Sequence, residues 1–220
     1  MIAKCLDDPA MTTKVLFRPV GLKEVELILD ANAEAFPPRV PEQPIFYPVL
    51  NRAYAEQIAR QWNTTEPDFA GFTTSFKVEA NYAGKFSEHV VGARHHSELW
   101  IPAEELVEFN RHIVGKIVIA SAFYGQLYRG PQSLPTILKG HPVRAQLRTL
   151  SDTAVYNRMD FACEVLANRK LVLLNFAFWE QLSAEDQNLT GEQKKETLDA
   201  IAKIWADNLP DTPLPRGEIV

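Results

Sequence analysis

Three side chains in this sequence have types and settings suited to chemistry on one substrate. Arg18 ends an apolar run, KVLFRPV (14–20), where Pro19 stops a strand ladder. Tyr47 lies in a second run, IFYPVL (45–50), and is again followed by a proline. Glu98 opens a third, ELWI (98–101), directly after His95, His96 and Ser97. A strand-end guanidinium can grip a pyrophosphate or ribose through a forked pair of hydrogen bonds. A tyrosine ring can stack on a heterocycle and cover it from water. A carboxylate can hydrogen-bond a ribose hydroxyl and stabilise a developing oxocarbenium ion. Together the three suit attack at the anomeric carbon of a nucleotide ribose. Singly, each has an ordinary structural role: a surface salt bridge, a half-buried ring, a solvated strand face.

The segment that carries Tyr47 is FPPRVPEQPIFYPVL (36–50), with five prolines. Fixed φ angles and missing N–H groups exclude an interior helix or a central strand. A rigid extended loop is expected, holding Arg39, Glu42 and Gln43 at the rim of whatever site Tyr47 enters.

Other chemistries find little support. His95 and His96 are adjacent, so their side chains diverge, and His89 could join one of them only through a hairpin; no metal site is expected. There is no GxSxG elbow and no glycine-rich phosphate loop, which argues against ordinary NTP hydrolysis and Rossmann-type redox chemistry. Of the two cysteines, Cys5 falls in an N-terminal tail and Cys163 reads as a small core hydrophobe. A formal net charge of −5 argues against general nucleic-acid binding. The start, MIAKCLDDPAMTT, lacks an apolar signal core, and the longest apolar runs are too short to span a bilayer. A cytoplasmic, non-membrane protein is the expectation.

Gly and Pro recur through residues 19–142 but are absent from Val143 to Thr190, so short mixed elements should give way to helices. The pattern predicts a strand over 14–20 and a helix over 21–32. Asn51 should cap a helix running to about Trp62. Phe72, Thr74, Phe76 and Val78 should share one face of a strand. Short strands at 89–91 and 98–101, a helix from Pro102 and a buried strand over 115–123 complete an α+β domain, 14–125. Residues 126–142 read as a linker or loop. In the helical region, 143–209, Asp152 is a plausible cap for a helix bearing Val155, Met159, Cys163 and Leu166. Residues 170–182 are apolar all round, as a buried helix or a core strand would be, and Thr190 with Gln193 forms a capping box. Residues 1–13 and 210–220 read as tails.

The segments LFRPVGLKEVELI (16–28), FPPRVPEQPIFYPVLNRAYAEQIARQW (36–62) and ELWIPAEELVEFNRHIVGKI (98–117) resemble a family of small bacterial proteins labelled "ADP-ribosylation/crystallin J1". The resemblance covers residues 14–123, and the order of elements is similar to a compact ADP-ribosyltransferase fold. It implies an N-terminal mixed-sheet domain followed by a mainly helical region. It also implies that Arg18, Tyr47 and Glu98 take the places of that fold's strand residues. NAD would then be the substrate, gripped by Arg18 with Arg39, Gln43 and His96 around it. Tyr47 and Glu98 would act in ADP-ribosyl transfer to a protein acceptor, or in NAD hydrolysis. The family's second acidic position, two before Glu98, is His96 here, and Thr73–Thr74–Ser75 is the nearest match to its Ser-Thr-Ser motif. Two alternatives stay open: a non-catalytic protein- or nucleotide-binding module, and a toxin or immunity-type protein whose helical half regulates the first. The helical half could also make a homo-oligomer.

Overall fold

Alternating burial fixes the first strand. In β1 (Thr13–Gly21), Leu16, Arg18 and Val20 point into the core, and the residues between them face the other side. The computed structural model describes residues 12–92, 96–131 and 136–220. Helix α1 (Leu22–Asp30) follows β1 and buries Leu22, Val25 and Ile28. The proline segment then runs as loop to β2 (Ile45–Phe46), and α2 (Arg52–Gln61) starts where Asn51 accepts the backbone N–H groups of Ala53 and Tyr54. Next come β3 (Ala70–Glu79), a single turn α3 (Ala80–Ala83), β4 (Glu88–Val90), β5 (Ser97–Leu99), β6 (Ile101–Pro102), α4 (Leu106–Arg111) and β7 (Ile113–Tyr124).

The main sheet has the order β1-β3-β7 with antiparallel pairing, and a last strand, β8 (Arg216–Ile219), lies parallel to β7. Phe72, Thr74, Phe76 and Val78 are all buried, as the period-two pattern requires. Beyond β1 the hydrogen bonding continues. Val49 exchanges backbone bonds with Phe17, and Leu50 and Leu99 bond to Ser97 and Pro48, joining the β4–β5 hairpin to the β1 edge. Helix α2 covers one face, packing Tyr54, Ala55 and Ile58 with Phe17 and Val49.

The second half is helical: α5 (Val143–Tyr156), α6 (Arg158–Ala167), α7 (Arg169–Gln181) and α8 (Gly191–Asn208). The protein is thus α+β, with an N-terminal mixed sheet and C-terminal helices. Residues 170–182 resolve as helix α7, buried continuously from Leu171 to Trp179 because the sheet lies on one side and helices on the others. Thr190 and Gln193 form the expected reciprocal cap of α8.

Several expectations fail. Asp152 caps nothing: it lies inside α5, ion-paired to Arg148, and Asn157 makes the break by capping α6. Val155, Met159 and Cys163 are exposed, so their helical spacing marks a solvent face. Of the two readings of segment 126–142, the described residues fit the loop, packed on the body and not a free linker. Tyr128 and Leu138 are buried, and the Tyr128 hydroxyl, in a chain of buried polar groups, donates to Asn175 Oδ1, whose amide donates to Gln146. The stretch 210–220 is no frayed tail, since it carries β8. Of the N-terminal tail, residues 1–11, with Cys5, lie outside the described residues, and Thr13 already belongs to β1.

Backbone proximity explains the glycine in β8. A Cβ on Gly217 would lie 2.6 Å from the Ala122 carbonyl oxygen and 2.9 Å from Ala177 Cβ. Gly217→Ala should therefore push β8 off β7 and lower Tm by about 4–8 °C, the equivalent of about 2 kcal/mol in a chain of this size. An unchanged melting curve would show that β8 contributes little.

Candidate functional site

The residues expected to form a site separate into two groups, and the sheet's alternation is the reason. Phe17, Val49 and Glu98 are neighbours across three strands, so their side chains share one face, the face α2 covers. Arg18 is next to Phe17 in β1 and so projects to the opposite face, where its guanidinium lies 4.7 Å from the centre of the buried Phe46 ring. Arg18 and Glu98 do not meet in one cleft.

Arg18 is instead committed to Glu24 of α1. Its Nε and Nη2 donate to the two carboxylate oxygens at 2.7 and 3.1 Å, a forked pair, and Nη1 donates to the Tyr47 carbonyl at 3.3 Å. Arg39, from the proline loop, donates to the same Glu24 carboxylate at 3.5 Å and to Gln43 at 2.9 Å. Both arginine side chains are more than nine-tenths buried, at 9% and 7% exposure. The Arg39 Nε, buried, has no hydrogen-bond partner among the described residues. Burial, and then the Arg18 charge, lower the Arg39 pKa, with Glu24 acting against them. Two guanidiniums share one carboxylate, so Glu24 holds β1, α1 and the loop together. Glu42 is exposed.

The other group forms around Glu98, at the sheet edge. The Trp100 indole N–H donates to Glu98 Oε1 at 2.8 Å, since the two residues share a strand face. Tyr47 meets Trp100 edge to face at 5.9 Å, and His89, directly opposite Glu98 in the β4–β5 hairpin, stacks on Trp100 at 4.2 Å. His96 stacks on Tyr54 at 4.0 Å. Burial, and then the Glu98 charge, push the Tyr54 phenol above its ordinary pKa, and Tyr54 packs with Val49, the bridge partner of Glu98. Tyr47, His96 and Glu98 are thus brought together, joined by His89, Tyr54 and Trp100. Trp100 was legible as the i+2 neighbour of Glu98, and His89 through the hairpin around Gly92. Nothing local marks Tyr54, which only the packing of α2 delivers. His95 lies outside the described residues.

No protein-family model, no curated protein and no solved structure matches this chain. Function must be read from geometry. Among the described residues no three His, Cys, Asp or Glu side chains gather as a metal ion would need, and no helix is long and apolar enough to cross a membrane.

One further perturbed carboxylate belongs to the scaffold. Burial alone would raise the Glu56 pKa, but the Ser121 hydroxyl, donating at 2.5 Å, and Arg52, at 2.8 Å, outweigh it and hold it below the ordinary value. A carboxylate held low is a weak general base, so this cluster fastens α2 to β7.

Two tests follow. Glu24→Gln leaves two buried guanidiniums without their anion and should cost about 2–3 kcal/mol in urea denaturation, less than a fully buried pair because Glu24 is partly exposed. A loss below about 0.5 kcal/mol would place the cluster with ordinary surface pairs. A folded-state pKa below the unfolded value means that the stability Glu56 contributes is present at neutral pH and lost as pH falls through the carboxylate range. The stability gap between the parent and Glu56→Gln should therefore be widest at neutral pH and close in acid. A gap that does not vary with pH rejects that role.

Proposed function

We propose that this protein is a binding module whose ligand presents a planar, electron-poor or cationic group to the aromatic face around Glu98. The observation that carries this reading is the Glu98 carboxylate, held by the Trp100 indole and bordered by Tyr47, Tyr54 and His89. Aromatic faces attract cations through their quadrupoles and stack on flat heterocycles, and a carboxylate among them adds charge attraction. Among the described residues no Lys or Arg lies within ion-pair distance of Glu98, so none of them competes with an incoming cation for it. The oxidised nicotinamide ring is both flat and cationic, and NAD is the ligand we put forward.

A catalytic version is the second reading, favoured by Tyr47 and Glu98 sharing one face. In it Tyr47 stacks on nicotinamide and Glu98 stabilises the ribosyl cation during ADP-ribosyl transfer or NAD hydrolysis. It ranks second because Arg18, the expected pyrophosphate grip, is bound to Glu24 on the opposite face.

The experiment is a titration with NAD, followed by tryptophan fluorescence, alongside an assay for released nicotinamide. The binding reading expects saturable quenching without release, with affinity falling about 5- to 30-fold in Trp100→Ala and in Glu98→Gln, as cation–π and charge contributions of about 1–2 kcal/mol imply. Release that Glu98→Gln abolishes would promote the catalytic reading. Absence of both binding and release removes NAD.

A further inference from the structure

A cavity that shares no lining residue with this face lies between the two halves of the fold. Its volume is about 720 Å³, within the range of small-molecule sites. One wall is the end of α1 with Lys116 of β7, a second is the α6–α7 junction, and the third is the end of α8 and the turn after it. The first wall is pinned. Ala33 donates to the Ile28 carbonyl, and its own carbonyl accepts from Ile117 at 2.7 Å. The third is pinned as well, because the Trp205 indole N–H donates to the Thr212 carbonyl at 2.6 Å and closes the turn that presents Asp211.

The charges in the lining decide what such a cavity would hold. Lys116 is occupied by Glu34 at 2.6 Å and the Asn32 carbonyl at 2.9 Å. Lys170 and Asp30 neutralise each other at 2.9 Å. Two lining charges remain with no ion pair among the described residues: Arg169, at the start of α7, and Asp211, on the turn after α8. They stand on different walls, and the lining also offers the apolar side chains of Leu166, Leu173, Trp205 and Leu209 beside the polar Asn168, Asn208 and Thr212.

From this arrangement we propose that the cavity binds a zwitterionic ligand with an apolar body, of the amino-acid or short-peptide kind. Its carboxylate goes to the Arg169 guanidinium, which offers a forked pair of donors, and its ammonium goes to Asp211. The apolar side chain packs on Trp205 and the leucines. A single-signed ligand would pair with only one of the two wall charges, whereas a zwitterion pairs with both. This proposal is independent of the Glu98 face.

Calorimetric titration of the full chain with L-leucyl-L-phenylalanine, its N-acetyl form, its C-terminal amide and free L-phenylalanine tests it. Saturable binding of the dipeptide or of L-phenylalanine is expected, with the responding one identifying peptide or free amino acid as the source. Blocking either end of the dipeptide should weaken binding at least 10-fold. Arg169→Gln should erase the preference for the acid over the amide, and Asp211→Asn the preference for the free amine over the acetyl form. Both residues are exposed and have no ion pair among the described residues, so both variants should keep the parent melting temperature, and Trp100→Ala should leave this binding intact. Failure of every probe to bind, equal affinity for blocked and free ends, or variants that retain the parent preferences would each overturn the proposal.

Discussion

The carboxylate of Glu24 is the anchor on which the N-terminal half depends. It receives a forked pair of hydrogen bonds from Arg18 in β1 and a further bond from Arg39 in the proline loop, while itself standing on α1. Three elements, β1, α1 and the loop, are thereby fixed to one point. Desolvating two guanidiniums is costly, and it is tolerated because an anion and the Tyr47 carbonyl meet Arg18 directly. The rigidity of the proline loop then has a use. It carries Tyr47 from that anchor to the sheet edge, where its ring touches Trp100.

A second constraint, the alternation of side chains along β1, divides the chemistry of this half. Because Phe17 faces α2, Arg18 must face the core, and everything paired in register with Phe17 lies on the α2 side. The arginines therefore serve the interior, and the Glu98 cluster gathers aromatic groups at the edge. The helical half is joined to the same body through β8 and α7, so the cavity at the junction has three walls from distant parts of the chain.

Much of the architecture was legible locally. The Asn51 cap, the Thr190–Gln193 box and the buried row Phe72, Thr74, Phe76 and Val78 depend on contacts within a few residues or on a strict period, and these appear as read. The misreadings share a cause. Val155, Met159 and Cys163 have helical spacing, but spacing identifies a face without saying what covers it, and here nothing described does. Residues 210–220 look like a tail because their prolines break local structure, while the pairing of Arg216–Ile219 with β7 is non-local.

By itself, the sequence determined the starts of α2 and α8, the α+β class and the chemical types present near Tyr47 and Glu98. Those properties follow from backbone preferences and short-range periodicity. Only the tertiary structure decided that Arg18 turns inward to Glu24, that Tyr54 and His89 join Glu98, and that Arg169 and Asp211 line one cavity. Each depends on strand register or helix docking between segments distant in sequence, and a one-residue change of register would reverse every face.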